Sequence, residues 1–219
     1  MQTAPLALIV DDHPLFCDAL ALTLRTVAGF AGVESVHRLD AALARLDAGL
    51  RPDVVVLDLD LPDVDGMDGI LRLRAALDAP VMVVSSMADD RLVAAALAAG
   101  AAGFVPKHSG REAFRAAFQA MARGERWLPE GYVPPAPGSA SAGQEAVARL
   151  AQLTRQQARI LELICQGMLN KQIAYDLSIA ETTVKAHVTA IMRKLGVQSR
   201  TQAVLIAQQA RFSSLVPEG

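Results

Sequence analysis

Apolar and polar positions along the first half of the chain follow two alternating periods. Short apolar runs stand at PLALIV (5–10), VESV (33–36), DVVVLD (53–58), APVMVVSS (79–86) and GFVP (103–106). Behind each comes a longer stretch with apolar residues three and four apart: FCDALALTLRTV, LDAALARLDAG, GMDGILRLRAAL, DRLVAAALAAG and REAFRAAFQAMARG. The first kind predicts a strand and the second an amphipathic helix, five times in succession. Runs that stay apolar instead of alternating belong to a parallel sheet covered on both faces. The pattern predicts an α/β doubly wound, five-stranded parallel sheet over residues 1–127.

After Trp127 the texture changes to LPEGYVPPAPGSASAGQEA, rich in Pro, Gly, Ala and Ser. Residues 128–148 read as a linker, with QEAVARL able to form a short helix at its end. From Leu153 only helical periods remain. Thr154 and Gln157 have capping-box spacing and predict a helix ending at Gly167. Asn170 can cap a short helix over KQIAYDL, a third helix runs from about 181 to 195 and stops at Gly196, and Ser199 with Gln202 opens a fourth that ends near Arg211. Residues 149–212 are thus a small all-α domain of four helices.

Length agrees with two domains, at 219 residues. No run approaches the ~18 uncharged apolar residues of a membrane span, and the N-terminus has no basic region ahead of its apolar stretch. The expectation is a soluble, cytoplasmic protein with no membrane partner. Cys17 and Cys165 lie in apolar helical patterns without a CxxC, so both read as small core residues.

The net charge of −2 hides a division. Residues 1–128 hold 12 Lys/Arg against 17 Asp/Glu, giving −5, while residues 149–211 hold 9 against 3, giving +6. The helical half is therefore the candidate for a polyanion partner.

In open parallel sheets, ligands gather at the carboxyl ends of the strands. Asp11 and Asp12 end the first strand, Asp58 the third, and Ser85 and Ser86 the fourth; Lys107 follows the fifth. With strand order 2-1-3-4-5 they share one rim. Three crowded carboxylates call for a hard cation, and a sparse carboxylate set with room for water suits Mg²⁺. A hydroxyl from Ser85 and an ammonium from Lys107 complete the charge stabilisation that phosphoryl transfer needs, with Asp58, the central acid, as acceptor. Asp60, Asp63 and Asp65 read as solvated loop acids.

DDHPLF, VVLDLDLPDVDG, VMVVSS and GFVPKHS, in this order and spacing, resemble a bacterial response-regulator receiver domain, a flavodoxin-like fold, from residue 5 to about 125. The resemblance implies that Asp11 and Asp12 hold Mg²⁺ together with Asp58 and the backbone carbonyl of Asp60. It also implies that Asp58 takes phosphate from a sensor histidine kinase, that Ser85 and Lys107 contact the phosphoryl group, and that Phe104 is the switch aromatic. Pro106 beside Lys107, and Ser86 where the family often has Ala, depart from the usual phosphate pocket.

A competing enzyme reading rests on DLDL at 58–61, which resembles the DxD of aspartate-nucleophile phosphatases. Against it, Leu61 and Pro62 follow, the motif lies on the third strand instead of the first, no cap insertion is present, and the basic helical domain goes unused. The expectation is a protein that is not an enzyme.

LTRQQARILELICQGMLNKQIAYDLSIAETTVKAHVTAIMRKLGVQSRTQAVLIA resembles the LuxR-type helix-turn-helix of the NarL/FixJ regulators, NKQIAYDL being the scaffold helix and ETTVKAHVTAIMRKL the recognition helix. Val184, Val188, Ile191, Met192 and Leu195 fall at helical spacing and must face the core, leaving Lys185, Ala186, Thr189 and Arg193 outward. Lys185 can donate to guanine, and the methyl groups of Ala186 and Thr189 can touch a thymine methyl. Lys171, His187, Lys194 and Arg200 are assigned to phosphates. Arg155, Gln157 and Arg159 stand where the family commonly has proline and glutamates, Ala180 stands where a serine often caps the recognition helix, and Leu169 replaces a small polar residue.

Together these resemblances imply a DNA-binding transcriptional regulator. Phosphorylation of Asp58 would alter a surface made by the fourth helix, fifth strand and fifth helix, or by the first and fifth helices, and favour a homodimer on double-stranded DNA; RNA polymerase is a further partner the reading admits. The alternative within this class is a regulator that binds DNA regardless of phosphate. The stripe Ala203, Val204, Ile206, Ala207 and Ala210 reads equally as core or as dimer surface.

Overall fold

The computed structural model describes residues 5–64, 66–136 and 142–212. Five strands, β1 (Leu6–Val10), β2 (Gly32–Val36), β3 (Val54–Asp58), β4 (Val81–Ser85) and β5 (Gly103–Pro106), form one parallel sheet in the order β2-β1-β3-β4-β5. Between and after them run α1 (Pro14–Val27), α2 (Leu39–Asp47), α3 (Asp68–Ala76), α4 (Asp90–Ala98) and α5 (Arg111–Ala122). The strand order turns back at β1 and β3, so their carboxyl ends open side by side.

Alternate residues of the central strands serve opposite faces. Leu8, Val10, Val55, Leu57, Val83 and Phe104 pack toward α2, α3 and α4. Ile9, Val56, Met82, Val84 and Val105 pack toward α1 and α5. Every one of these side chains is buried, which is why the strands carry no polar alternation. The free edge of β5 is covered by Trp127, whose carbonyl accepts from Phe104 N–H at 3.1 Å. Gly103 permits that approach, since a Cβ there would lie 2.9 Å from both Trp127 O and Met82 Sδ.

The second unit holds α6 (Ala142–Leu150), α7 (Arg155–Cys165), α8 (Asn170–Asp176), α9 (Glu181–Leu195) and α10 (Arg200–Phe212). The short helix anticipated from QEAVARL is α6. It begins earlier, at Ala142, and buries Ala146 and Val147 in a packing made chiefly with α10. The last part of the residues read as linker is therefore structural, whereas residues 137–141 lie outside the described set.

Both capping boxes form. Thr154 Oγ1 accepts from Gln157 N–H at 3.3 Å and Gln157 Oε1 from Thr154 N–H at 3.1 Å. Ser199 and Gln202 exchange the same two bonds, each at 3.2 Å. At α8 the expectation needs correction: Leu169 is the cap residue, and Asn170 already lies inside the helix. Gln172 Oε1 reaches back to Leu169 N–H at 2.7 Å, and Asn170 Oδ1 instead accepts from Arg200 at 3.3 Å. Ala180 caps α9 with no side-chain bond, and α9 ends at Gly196 with φ 68°, a left-handed conformation that glycine adopts without penalty. In α10, Ala203, Ile206 and Ala210 are buried and Val204 and Ala207 half-buried in the main core, so the apolar stripe is core.

The two units touch through α3 with α7 and α4 with α6. Arg155 carries the polar part of this contact. Its guanidinium donates to Ala76 O at 2.7 Å, Ala75 O at 3.2 Å and Asp78 Oδ2 at 2.9 Å, closing over the last carbonyls of α3, where the helix dipole favours a cation.

Candidate functional site

The acidic rim is assembled as the strand ends require. Asp11 and Asp12 leave β1, Asp58 closes β3, Ser85 closes β4, and Lys107 follows β5, its N–H donating to Ser85 O at 2.8 Å. Asp11 and Asp58 are fully buried. The Lys107 ammonium bridges them, 2.8 Å from Asp11 Oδ2 and 2.7 Å from Asp58 Oδ2, with its charge 5.0 Å from the centre of the Phe16 ring.

The electrostatics follow from burial. Removal from water, reinforced by the neighbouring Asp11 charge, raises the Asp58 pKa above its ordinary range even though Lys107 opposes the shift. Burial pulls the Lys107 pKa down, but its bonds to Asp11 and Asp58 more than offset this and hold it raised. The lysine is therefore charged at neutral pH, and the rim still holds more acids than bases. Burial, helped by Asp11, pushes the nearby Cys17 thiol up to about 11; it packs as a core thiol whose Sγ reaches Asp11 O at 3.3 Å.

The donor set fits a divalent cation. Asp11, Asp12, His13 and Asp58 each offer one ligand atom, all within 4.8 Å of one another. Asp11 Oδ2 and Asp12 Oδ1 are buried oxygens whose near neighbours are the Lys107 ammonium at 2.8 Å and His13 Nδ1 at 2.7 Å. Carboxylate oxygens crowded together in this way are what a hard dication takes up. Asp60 is exposed and donates its N–H to Asp58 Oδ1 at 3.3 Å. Phe104 is fully buried, and Ser85 Oγ accepts from Met87 N–H at 3.2 Å while Ser86 is exposed.

Two features escaped the sequence reading. His13 leans over the rim, its Nδ1 2.7 Å from Asp12 Oδ1 and 3.2 Å from Asp11 Oδ1. The signal was its place directly after the paired acids. Asp63, expected as a solvated loop acid, is instead an end-cap for α2: Asp40 N–H and Leu39 N–H donate to its carboxylate at 2.9 and 3.1 Å. Burial alone would raise its pKa, but these bonds and Arg38 keep it lowered. Asp65 lies outside the described residues.

On the helical unit, Val184, Ile191 and Leu195 of α9 are buried and Val188 packs against the core. Lys185, Ala186, Thr189 and Arg193 are exposed on the opposite face, as is Lys171 on α8. Lys185 pairs with Glu181 at 2.9 Å, and Thr189 Oγ1 donates to Lys185 O at 3.0 Å. Three residues assigned to phosphates are placed differently. Lys194 donates to Gln152 O at 2.9 Å and Gln157 Oε1 at 2.8 Å, tying α9 to the start of α7. Arg200 donates to Asn170 and to Met168 O, tying α10 to α8. His187 lines the cleft between the two units.

Comparison with known proteins agrees with both halves. The model "Response regulator receiver domain" matches residues 7–119, and "Bacterial regulatory proteins, luxR family" matches residues 151–207. The chain is 39% identical over 215 residues to the glycerol metabolism activator of Pseudomonas putida, covering 94% of this chain and 96% of that one. It is 32% identical over 207 residues to the nitrate/nitrite response regulator protein NarL of Escherichia coli K12, covering 94% and 95%. A crystal structure of a LuxR family DNA-binding response regulator from Silicibacter pomeroyi superposes with TM-score 0.51 at 32% identity, over 58% of this chain and 99% of that one. Among the described residues no helix is long and apolar enough to cross a membrane. A receiver fold closing on a buried acidic rim, joined to a helix-turn-helix with an outward cationic face, agrees with these matches over nearly the full length: the chain belongs to the NarL-type two-component response regulators, DNA-binding transcription regulators with a LuxR-type domain.

Proposed function

We propose that Asp58 is the phosphoryl acceptor of this regulator and that its modification by a sensor histidine kinase governs DNA binding by the helical domain. The observation that carries the reading is the bridged pair at the rim: a buried carboxylate at the end of a central strand, held 2.7 Å from the ammonium of a lysine arriving from β5. An Asp58 oxygen attacks phosphorus, the P–N bond to the kinase imidazole breaks, and the nitrogen leaves with the bonding pair. Lys107 stabilises the charge on the transferred oxygens. Ser85, one strand over, would donate its hydroxyl to a phosphoryl oxygen while its Oγ continues to accept from Met87 N–H.

Asp11, Asp12, Asp58 and the Asp60 carbonyl would hold Mg²⁺, which when bound neutralises charge shared by the acids and the incoming phosphoryl group. Phe104, buried here, is the residue whose rearrangement would report the new charge to the α4–β5–α5 or α1–α5 surface, and dimer formation there would bring two helical domains to a repeated DNA site. Lys185, Ala186 and Thr189 would read bases, with Lys171 and Arg193 on phosphates. We take residues 1–127 as the receiver, 128–148 as the connection and 149–212 as the DNA-binding unit.

The test is intact mass after incubation with Mg²⁺ and acetyl phosphate, beside Asp58→Asn, followed by titration of both onto a duplex selected from a random pool. The expected result is a single phosphoryl adduct on wild type alone and tighter DNA binding by the adduct. Equal DNA affinity with and without the adduct would establish a phosphate-independent regulator. Donor turnover without a lasting adduct would establish a phosphatase.

A further inference from the structure

The chain that leaves the receiver does not run straight to the helical unit. After α5, Gly124 at φ 74° turns it back to the start of β5, where Trp127 forms a parallel bridge with Gly103 and its carbonyl accepts from Phe104 N–H at 3.1 Å. Trp127 packs with the core beneath α1 and α5, whereas Tyr132 packs, half-buried, on the core shared by the α2–α4 side of the sheet and the helical unit. Residues 127–133 therefore cross the edge of β5 from one core to the other. On the way Tyr132 N–H donates to Pro129 O at 3.2 Å, closing a turn that needs the left-handed conformation Gly131 supplies at φ 82°.

The far anchor is on α4. Val133 N–H donates to Asp90 Oδ1 at 3.3 Å, and Asp90 is the first residue of that helix. The Val133 side chain is exposed, so this main-chain bond and not burial sets its place. A short loop joins Ser85 to Asp90: Ser85 Oγ accepts from Met87 N–H at 3.2 Å, and Asp89 caps the helix by accepting from Leu92 N–H at 3.0 Å. These bonds tie the loop together, so a serine that turns toward a phosphoryl oxygen carries the first turn of α4 with it. The segment is thus bonded at one end to the backbone of Phe104 and at the other to the helix start that Ser85 holds. The same helix, α4, is where α6 of the helical unit packs.

We infer that residues 127–133 are a latch. The segment stays bound to α4 while Asp58 is unmodified; when Asp58 carries a phosphoryl group, the shifted first turn of α4 lets go of Val133, and the helical unit that follows in the chain is freed from the receiver. The inference rests on Asp58 being the phosphoryl acceptor. A single main-chain bond to an exposed carboxylate is directional enough to register such a shift and weak enough to be broken by it.

The experiment is hydrogen exchange at the Tyr132 and Val133 amides of the full chain in Mg²⁺, before and after acetyl phosphate, with intact mass giving the adduct fraction of the same sample. Unmodified wild type is expected to protect both amides, and the adduct to exchange Val133 about fivefold faster, the equivalent of one net hydrogen bond. Asp90→Ala should exchange at the faster rate without the adduct, gain nothing more from it, and bind the selected duplex more tightly than unmodified wild type. Asp90→Asn, which keeps an acceptor oxygen but not the charge, should behave as wild type. Gly131→Ala, which strains the turn and leaves α4 untouched, is the second variant and must also exchange faster. An adduct that leaves exchange at Val133 unchanged, or an unmodified chain that exchanges it like an unstructured peptide, would overturn the latch and leave Asp58 standing as acceptor. Faster exchange in Asp90→Ala with unchanged DNA affinity would overturn the release of the helical unit. Absence of any adduct on wild type would overturn both the latch and the reading beneath it.

Discussion

The receiver rim and the outer face of α9 are both charged, yet they treat charge in opposite ways. At the rim, Asp11 and Asp58 are taken entirely out of water and share one lysine, so each charge there is expensive and depends on its neighbours. On α9, Lys185 and Arg193 stand exposed, and the ion pair of Lys185 with Glu181 is solvated. Such charges cost little and contribute little to folding. Buried charge makes a site whose stability changes when an ion or a phosphoryl group arrives; exposed charge makes a field that acts on a partner. In the function proposed above, the first arrangement would register a signal and the second would deliver it.

Breaking the bridge is the most severe way to test this contrast. Lys107→Met removes the ammonium from between two buried carboxylates and should cost about 3 kcal/mol of receiver stability at pH 7 in chelator, because an uncompensated buried charge remains. Urea denaturation measures it, and millimolar divalent cation should restore much of the loss. A change below about 0.5 kcal/mol would mean that the rim is wetter than its burial indicates.

Asp58→Asn works in the other direction. It deletes one acid from a site with an excess of them, so the metal-free protein should gain about 1–2 kcal/mol at pH 7. The sign with pH is fixed by the raised Asp58 pKa. The folded wild type holds this proton more tightly than the unfolded chain, whose ordinary value is 3.8. Its stability penalty is therefore complete above the folded pKa and fades as pH falls through that value toward 3.8. Melting curves of the two proteins should converge on acidification; a gap that stays constant from pH 7 to 4 would show that the gain comes from packing and not from charge.

Much of this is legible in the sequence, and the limits are physical. The five strands declared themselves because both faces of the sheet are covered, and the rim followed because residues at strand ends need no knowledge of side-chain direction. Thr154 with Gln157 and Ser199 with Gln202 were readable since a capping box is local. Asp63 was not: its partners Leu39 and Asp40 lie more than twenty residues away. The same holds for Lys194 and Arg200, whose long side chains found carbonyl and amide acceptors many residues away in sequence. The start of α6, in an Ala- and Gly-rich stretch, owes its order to packing on α10, which no local propensity records. His13 required the direction of its ring over the two acids, which its place in the sequence does not fix.

Lys185→Ala probes the solvated side of the comparison. Stability should stay within about 0.5 kcal/mol, as for other exposed substitutions. Affinity for the selected duplex should fall about tenfold. An unchanged salt slope assigns the residue to a base edge, and a slope smaller by about one assigns it to a phosphate.

Arg155→Ala has the smallest expected effect and joins the two regions. Its guanidinium, half exposed, meets two carbonyls at the end of α3 and the carboxylate of Asp78 across the boundary between the units. Because β3 feeds α3 and β4 feeds α4, the elements that hold the helical domain lead directly from Asp58 and Ser85. A solvated contact of this kind is worth about 0.5 kcal/mol, a two- to threefold change in the ratio of docked to separated domains. Small-angle scattering of the metal-free protein should show a larger separated fraction for Arg155→Ala. Arg155→Lys, which keeps the charge for Asp78 but cannot span the three acceptors, should lie between. If alanine leaves the fraction unchanged, the apolar contacts of α4 with α6 hold the units by themselves, and a signal from the rim must disturb that packing to reach the DNA-binding face.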